Sequence, residues 1–292
     1  MESRTPHDAP GRGRTPGSPP ARTPPVVCVL TACRPERVGD LLPALASLRA
    51  QSLAGWEWVV EFDGPVPPLP APLSAAMAAG RLSLGGCHRP GGYGPAEARN
   101  RGLRRCRAAL VQNLDADDQL EPGALALLAG ALRRHPGAAY AAGDARDLLP
   151  DGSLRSVPLG LTPGVLAPGE VYGRWRTEPA SAYSVPLHPA GVMWRRAVLL
   201  EFGGWPALWG MEDTALLMAV SALRPGVYVA ADTLRYRRHD GQLSARVDRR
   251  RAALSGQVRL VRRRVAALRS AALRAAGHPA GRDTARRIAD PA

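Results

Sequence analysis

The chain contains no lysine, so all 39 residues in its Lys and Arg count are arginine. A GC-rich coding sequence produces such a bias, and the choice of arginine therefore carries little functional information. Cysteine is also scarce, and the residues Cys28, Cys33, Cys87 and Cys106 match no common zinc or disulfide spacing, which fits a reducing compartment. No apolar run approaches the roughly 20 residues of a membrane-spanning helix, and no signal peptide is visible. We therefore expect a cytoplasmic protein.

The net charge of +14 is distributed unevenly along the chain. Residues 1–24 hold four arginines and two acids, and residues 246–292 hold thirteen arginines and three acids. The middle of the chain is nearly neutral, with 22 arginines against 20 acids. An arginine-rich protein that binds nucleic acid is therefore supported by the tail alone, and we do not expect nucleic acid as a partner.

Composition and periodicity divide the chain into three regions. Residues 1–24 are rich in Pro, Gly and Ser and lack apolar periodicity, which predicts a disordered leader. Residues 25–245 are long enough to form one large domain. In the tail, 246–292, apolar residues from Leu254 to Ala272 recur at steps of three and four, which predicts an arginine-rich amphipathic helix. The small apolar residues of this helix favour packing on the body or homodimerisation. The alternative that stays open is peripheral contact of the helix with the inner face of an anionic membrane.

Strands and helices alternate through the body. Val26–Thr31 and Trp56–Phe62 are predicted strands on either side of a predicted helix, Glu36–Gln51, and such a βαβ unit implies a parallel sheet. The turn signal at Leu149–Gly152 predicts a hairpin. The fold class is therefore α/β, with a mostly parallel central sheet flanked by helices. The other predicted elements are a helix from about Pro72, strand Arg81–Leu84, a helix from Pro95, strand Ala108–Leu114, helix Glu121–His135, a long loop Thr162–Leu187, strand Gly191–Trp194, helices Arg196–Phe202 and Ala215–Leu223, and strands Val227–Ala230 and Thr233–Arg238.

The stretch Ala108–Asp118 places acids at the end of a short buried strand. Asp115, Asp117 and Asp118 follow that strand directly. Ligands of open α/β sheets bind beyond the carboxyl ends of the strands. Carboxylates two residues apart on an extended segment point the same way and can share one Mg²⁺ or Mn²⁺ ion with phosphate oxygens. The alternative is an acidic turn that caps the next helix.

Further motifs accompany this stretch in a fixed order. They are the opening strand with Thr31 and Arg34, Val59–Gly64, Ala98–Leu103, Leu114–Asp118, Gly203–Trp205, Glu212–Asp213 and Tyr236–Gly241. Together, over roughly residues 26–245, these motifs resemble the inverting glycosyltransferases of family 2, which have the Rossmann-like GT-A (nucleotide-diphosphosugar transferase) fold. Two features depart from the family pattern. Phe62 stands where the family usually has the first of two adjacent acids, and Ala32-Cys33 replaces a Tyr-Asn or similar pair.

The resemblance implies a donor, a metal and a class of acceptor. The donor is a nucleotide-diphosphosugar, a UDP-sugar by default, and the acceptor hydroxyl belongs to a glycan, a lipid-linked acceptor or a small molecule. Asp117, supported by Asp115, would hold Mn²⁺ or Mg²⁺, and His239 matches a further ligand position, the alternative being a surface histidine near a strand end. The implied nucleotide-sugar contacts are Thr31, Arg34, Asp63, Arg99, Asp115 and Ala116. The alternatives are a structural arginine in a helix for Arg99 and a turn aspartate before Gly64 for Asp63.

The resemblance also implies the catalytic and acceptor-binding residues. Asp213 would be the general base, and Glu212 would orient the site or bind an acceptor hydroxyl. The alternative is an acid pair that only complements the dipole of a helix N-terminus. Gly204 lies in a glycine-rich segment that lets an acceptor come close, and Trp205 and Trp209 are expected to stack on its sugar rings.

Two rival readings remain beside the transferase. A nucleotidyltransferase that makes sugar nucleotides would need a glycine-rich phosphate loop with a basic residue straight after the first strand, and Thr31–Pro35 is not such a loop. The second rival is a catalytically inactive relative that binds carbohydrate. Binding and turnover of a nucleotide-sugar distinguish these classes.

Overall fold

The structure, a computed structural model, describes residues 25–157, 159–177, 184–208, 210–239, 242 and 251–277. The leader predicted for residues 1–24 lies outside the described residues, as do Trp209 and most of the segment 240–250.

The described part of the chain contains ten strands and eight α-helices. The strands are β1 (Val27–Cys33), β2 (Trp56–Phe62), β3 (Leu82–Gly85), β4 (Leu110–Asn113), β5 (Gln119–Leu120), β6 (Tyr140–Leu148), β7 (Leu154–Ser156), β8 (Gly164–Leu166), β9 (Met193–Arg195) and β10 (Gly226–Arg237). The helices are α1 (Leu41–Arg49), α2 (Ala71–Ala78), α3 (Pro95–Leu103), α4 (Ala124–Arg134), α5 (Glu170–Arg174), α6 (Arg196–Glu201), α7 (Glu212–Leu223) and α8 (Arg251–Ala275), with 3₁₀ helices at Pro35–Asp40 and Pro189–Gly191.

The strands form one sheet in the order β3-β2-β1-β4-β9-β6-β10-β5, and β7 and β8 pair with β6 and β10. Strand β1 is parallel to β2 and β4, β2 to β3, and β6 to β10. Strand β9 runs antiparallel between β4 and β6, so these two strands point the same way. The prediction of a mostly parallel α/β sheet is therefore confirmed. This topology brings the carboxyl ends of β1, β2, β4, β6 and β10 to one edge.

Two hydrophobic clusters cover the two faces of the sheet. Alternate residues of β1 belong to different clusters, because successive side chains of a strand point to opposite faces. One cluster contains residues of α3, α5, α7 and α8, and the other contains residues of α1, α2 and α4. Helix α7 is buried along most of its length. The sheet edge that carries the predicted site therefore rests on a core that is packed from both sides.

Some predicted elements differ from the observed ones at their ends. The helix predicted over Glu36–Gln51 is split into a 3₁₀ helix, Pro35–Asp40, and α1, Leu41–Arg49. Pro43 explains the break, because a proline lacks an N–H and is tolerated only in the first turn of a helix. Beginning α1 at Leu41 places Pro43 in that turn.

The region after residue 138 confirms one prediction and corrects two. The predicted hairpin exists, since β6 and β7 pair antiparallel. The loop predicted over Thr162–Leu187 contains the short elements β8 and α5. The two strands predicted after residue 226 are one strand, β10, whose register against β6 shifts between Tyr228 and Leu234. That irregularity interrupts the alternation of inward and outward side chains from which the ends of a strand are inferred.

The predicted tail helix is α8, and its apolar side packs on the body. Val258, Val261 and Val265 are buried, and α8 lies against α7. The buried part of the stripe ends before Ala272, which is exposed. None of the described helices is both long and apolar enough to cross a bilayer.

Candidate functional site

One guanidinium joins three carboxylates at the sheet edge. Nη2 of Arg99 lies 2.7 Å from Oδ1 of Asp115 and 3.2 Å from Oδ2 of Asp213, and its Nη1 lies 3.0 Å from Oε1 of Glu212. The Arg99 side chain is only 5% exposed. Burial alone would lower the pKa of Arg99, but the carboxylates of Asp213, Asp115 and Glu212 raise it above its ordinary value. Arg99 is therefore a permanent cation that holds the end of β4 against the start of α7.

Asp63, at the end of β2, determines where the helix that carries Arg99 begins. Its Oδ1 accepts hydrogen bonds from the backbone N–H groups of Tyr93, at 2.7 Å, and Gly94, at 3.0 Å. Residue 92 must be glycine, because its φ is +64° and a Cβ there would overlap the Asp63 carboxylate. Helix α3 starts directly afterwards, at Pro95. Asp63 thus holds the glycine-rich loop, which presents Tyr93 with 61% of its surface exposed.

Asp213 is held by two side-chain hydrogen-bond donors in addition to Arg99. Its Oδ1 accepts hydrogen bonds from Nε1 of Trp205, at 2.7 Å, and from Nδ2 of Asn113, at 3.3 Å. Burial raises the pKa of Asp213 to about 7; Arg99 opposes this rise, while Glu212 and Asp115 add to it. A carboxylate whose pKa lies near neutrality is well matched to accept a proton from a hydroxyl.

Trp205 is a buried residue that positions Asp213 and not an exposed ring on which a sugar could stack. Asn100, on α3, pairs with its backbone: Nδ2 donates to the Trp205 carbonyl at 2.8 Å, and Oδ1 accepts from the Trp205 N–H at 2.9 Å. Gly204 allows this approach, because its φ is +73° and a Cβ there would overlap Oδ1 of Asn100. Only 2% of Trp205 is exposed. The expected stacking of Trp205 on an acceptor ring does not fit this burial, and Trp209 lies outside the described residues.

Asp117 and His239 come together beside this cluster. Nε2 of His239 lies 2.8 Å from Oδ2 of Asp117, and Nη2 of Arg37 lies 3.2 Å from the same His239 nitrogen. Carboxylate oxygen and imidazole nitrogen are suitable ligands for Mn²⁺, so this pair fits half of a metal site. Asp115 faces Arg99 instead. Across the described residues, no three His, Cys, Asp or Glu side chains converge on one metal position.

Three other predicted nucleotide contacts occupy different environments. Thr31 is fully buried, and its hydroxyl accepts a hydrogen bond from Nε1 of Trp58 at 2.9 Å. Arg34 is about half exposed and lies 3.3 Å from Glu36. Ala116, between the two aspartates, is half-buried. Of these three residues, Arg34 alone presents a charged group toward solvent.

Several residues around the site were missed by sequence reasoning. Asn113 and Asn100 support Asp213 and Trp205, and Arg37 contacts His239. His188, just before β9, lies with its ring centre 4.3 Å from that of Tyr236, and burial lowers its pKa to about 4 although Asp115 acts in the opposite direction. A signal existed for Asn113, because an amide in a buried strand needs a polar partner. No comparable signal marks His188.

Comparison with known proteins gives a family and a set of similar folds. Residues 28–151 match the family model described as glycosyl transferase family 2. The crystal structure of S. aureus TarS 1–349 has a TM-score of 0.54 and 16% identity, covering 72% of this chain and 60% of that chain. Its complex with UDP has a TM-score of 0.57 and 16% identity, covering 83% of this chain and 64% of that chain. Its complex with UDP-GlcNAc has a TM-score of 0.56 and 17% identity, covering 75% and 60%.

These comparisons differ in what they establish. At such identity the TarS structures show the fold alone, and the chain covers less than two thirds of their length. Comparison with curated proteins gave no match. The family match includes Asp63, Arg99, Asp115 and Asp117. Residues 28–151 are thus similar to glycosyl transferase family 2, and the fold of the chain is the GT-A fold.

Proposed function

We propose that the protein transfers a sugar from a nucleotide-diphosphosugar to an acceptor hydroxyl by a single displacement that inverts the anomeric carbon. One observation carries the proposal: Asp213, with a pKa of about 7, is held by Trp205, Asn113 and Arg99 next to the acids that follow β4. A general base near the phosphate-binding end of a sheet suits the activation of a hydroxyl that attacks a sugar phosphate.

The proposed reaction balances with Asp213 as the only proton acceptor. The acceptor hydroxyl gives its proton to the Asp213 carboxylate while its oxygen forms a bond to the anomeric carbon. The bond from that carbon to the phosphate oxygen breaks, and its electron pair leaves with the nucleoside diphosphate. Because attack and departure occur on opposite faces, the anomeric configuration inverts.

Arg99 acts in this proposal as a positioning residue. Its guanidinium contacts Asp115, Glu212 and Asp213, so a direct contact with the diphosphate would require the exchange of one of these carboxylates. Holding Asp213 in one orientation lowers the entropic cost of the transition state. Glu212, also paired with Arg99, keeps the start of α7 in place.

The donor is proposed to be a nucleotide-sugar, with UDP as the default nucleotide. The match to family 2 supports this class of donor, and TarS, which shares the fold, has been crystallised with UDP and with UDP-GlcNAc. Asp63 and the loop it fixes, together with Arg34, lie after β2 and β1, where a nucleotide would bind in such a sheet. The acceptor is proposed to be a hydroxyl of a glycan, a lipid-linked sugar or a small molecule.

The residues present fit a divalent cation in part. Asp117 and His239 would hold Mn²⁺ or Mg²⁺, with Asp115 as a third ligand if it exchanges its contact with Arg99. Bound there, the cation would neutralise charge on the departing diphosphate.

A donor screen tests the proposal. UDP-, GDP- and dTDP-sugars are added with and without Mn²⁺, and thermal unfolding is followed. A ligand present at 100 times its dissociation constant stabilises the folded state by about 2.7 kcal/mol, which is readily detected. We expect one nucleotide class to stabilise the protein in a Mn²⁺-dependent manner and to be turned over. No stabilisation by any of the three classes would contradict the proposal.

A further inference from the structure

Helix α8 has an inner side that is firmly attached to the body. Val258, Val261 and Val265 are buried against the cluster that includes α7. Nη2 of Arg262 donates a hydrogen bond to the Thr177 hydroxyl at 2.6 Å, and Nη2 of Arg264 donates one to the Phe202 carbonyl at 3.0 Å. The apolar stripe that could have entered a membrane or a dimer interface is thus already used within the chain. A binding partner of α8 must therefore contact the side of the helix that faces away from the body.

The opposite side, here called the outer face, consists of Arg259, Leu260, Arg263, Ala267 and Arg274, all of them exposed. Arg259 and Arg263 are one helical turn apart, and Arg274 lies about three turns further on, so the three cations share one direction. The sequence of α8 contains seven arginines and no acid. Surface helices usually alternate charges of opposite sign, because i,i+4 pairs stabilise them. A face with one sign of charge instead favours an anionic partner.

The outer face also presents apolar surface among its cations. Leu260, next to Arg259 in the sequence, is 54% exposed, and Leu273, directly before Arg274, is 37% exposed. The phosphate backbone of a nucleic acid binds cations but makes no favourable contact with a leucine side chain. The boundary between lipid headgroups and acyl chains binds both kinds of side chain, since apolar side chains are buried there while arginines contact anionic headgroups.

We propose that the outer face of α8 is a docking surface for an anionic lipid bilayer. The helix lies flat on the headgroups, with Arg259, Arg263 and Arg274 on anionic lipids and Leu260 inserted beside them. Its opposite side stays packed on α7. The proposal does not depend on the transferase activity, because it concerns a surface outside the sheet edge.

Vesicle sedimentation with the full chain tests this surface. The protein is mixed at low ionic strength with vesicles of phosphatidylcholine alone or with phosphatidylglycerol. An arginine near an anionic surface contributes about 1 kcal/mol, or about fivefold in partitioning, so replacing three lowers binding on the order of 100-fold. We expect that loss for the triple variant Arg259→Gln, Arg263→Gln, Arg274→Gln. The control triple variant Arg104→Gln, Arg133→Gln, Arg134→Gln removes the same charge from exposed positions elsewhere and should bind like the wild type.

A second substitution separates lipid from other polyanions. Leu260→Asn should weaken binding to phosphatidylglycerol vesicles several-fold and leave binding to duplex DNA unchanged, because only the bilayer takes up the leucine. The proposal is overturned if the wild type ignores anionic vesicles, or if both triple variants lose binding equally. It is also overturned if Leu260→Asn has no effect on vesicles, or if the outer-face variant turns a dimer into a monomer without affecting vesicles. Circular dichroism establishes that each variant is folded.

Discussion

The indole Nε1 of Trp205 donates a hydrogen bond of 2.7 Å to Oδ1 of Asp213, eight residues further along the chain. This bond favours the charged form of Asp213 and therefore acts against the rise of its pKa. It also fixes the orientation of the carboxylate, since Trp205 is itself held by Asn100.

Trp205→Phe keeps a large ring but removes the donor. We expect kcat to fall and the pKa of Asp213 to rise, because the carboxylate loses a hydrogen bond to its charged form. The acidic limb of the profile of kcat/KM against pH should therefore move to higher pH. Trp58→Phe is the control, since it also removes a buried indole donor, from Thr31, but far from Asp213 in the hydrogen-bond network. An equal shift in both variants would contradict the assignment.

The activity of the wild type should depend on the protonation of Asp213. A general base must be deprotonated, so kcat/KM should rise as the pH increases through about 7 and then level off. In Asp213→Asn this limb should be absent from the residual activity. A limb at the same pH in the variant would assign it to another group.

The free energy of unfolding should also depend on the protonation of Asp213, but it should fall with increasing pH where the activity rises. The folded-state pKa of Asp213 lies above the value of about 3.9 for an unfolded aspartate, so the folded protein binds the proton more tightly. The stabilisation that this gives is complete below pH about 4 and is lost as the pH rises through about 7. Urea unfolding across this range should show the wild type losing stability relative to Asp213→Asn. Parallel stability curves would contradict the raised pKa.

Arg99 should be needed for stability as well as for turnover. Arg99→Ala leaves three carboxylates at a buried position without their cation, and breaking a buried ion pair typically costs about 3–5 kcal/mol. Arg107→Ala is the control, because Arg107 is 67% exposed in its pair with Glu57 and should cost less than about 1 kcal/mol. Denaturant unfolding compares the two. Similar losses would mean that Arg99 is not the connection between β4 and α7.

Asp117 should carry the metal dependence of donor binding. In Asp117→Asn we expect nucleotide affinity to lose its response to Mn²⁺ while the protein stays folded, because one anionic ligand is gone. Asp232→Asn, at an exposed aspartate on β10, is the control. Calorimetric titration of UDP with and without Mn²⁺ measures the effect. An unchanged response to Mn²⁺ in Asp117→Asn would remove this residue from the metal site.

Much of the secondary structure could be predicted from local sequence patterns. Trp56–Phe62 is recovered at both ends, because a run rich in aromatic and β-branched residues lies there between Gly55 and Gly64. Helix α3 begins at Pro95 as predicted, since Gly94 and Pro95 form a strong local start signal. The acids after β4 lie at the sheet edge because their position follows from strand direction alone.

The contacts within the site could not be read in this way. The three partners of Arg99 lie on segments far apart in the chain, and their meeting depends on how α3 and α7 pack on the sheet. The burial of Trp205 follows from its pairing with Asn100, which periodicity does not reveal. Local signals thus locate acids at an edge, whereas tertiary packing decides which of them share a cation.

The most direct test of Asp213 as the general base is a comparison of Asp213→Asn with Glu212→Gln in turnover and donor binding. We expect Asp213→Asn to lower kcat by about 10² to 10⁴-fold through the loss of a general base, while it still binds the nucleotide-sugar. Glu212→Gln should lose less activity, because Glu212 acts through its pair with Arg99. An inactive Glu212→Gln beside a nearly normal Asp213→Asn would contradict the assignment of the base.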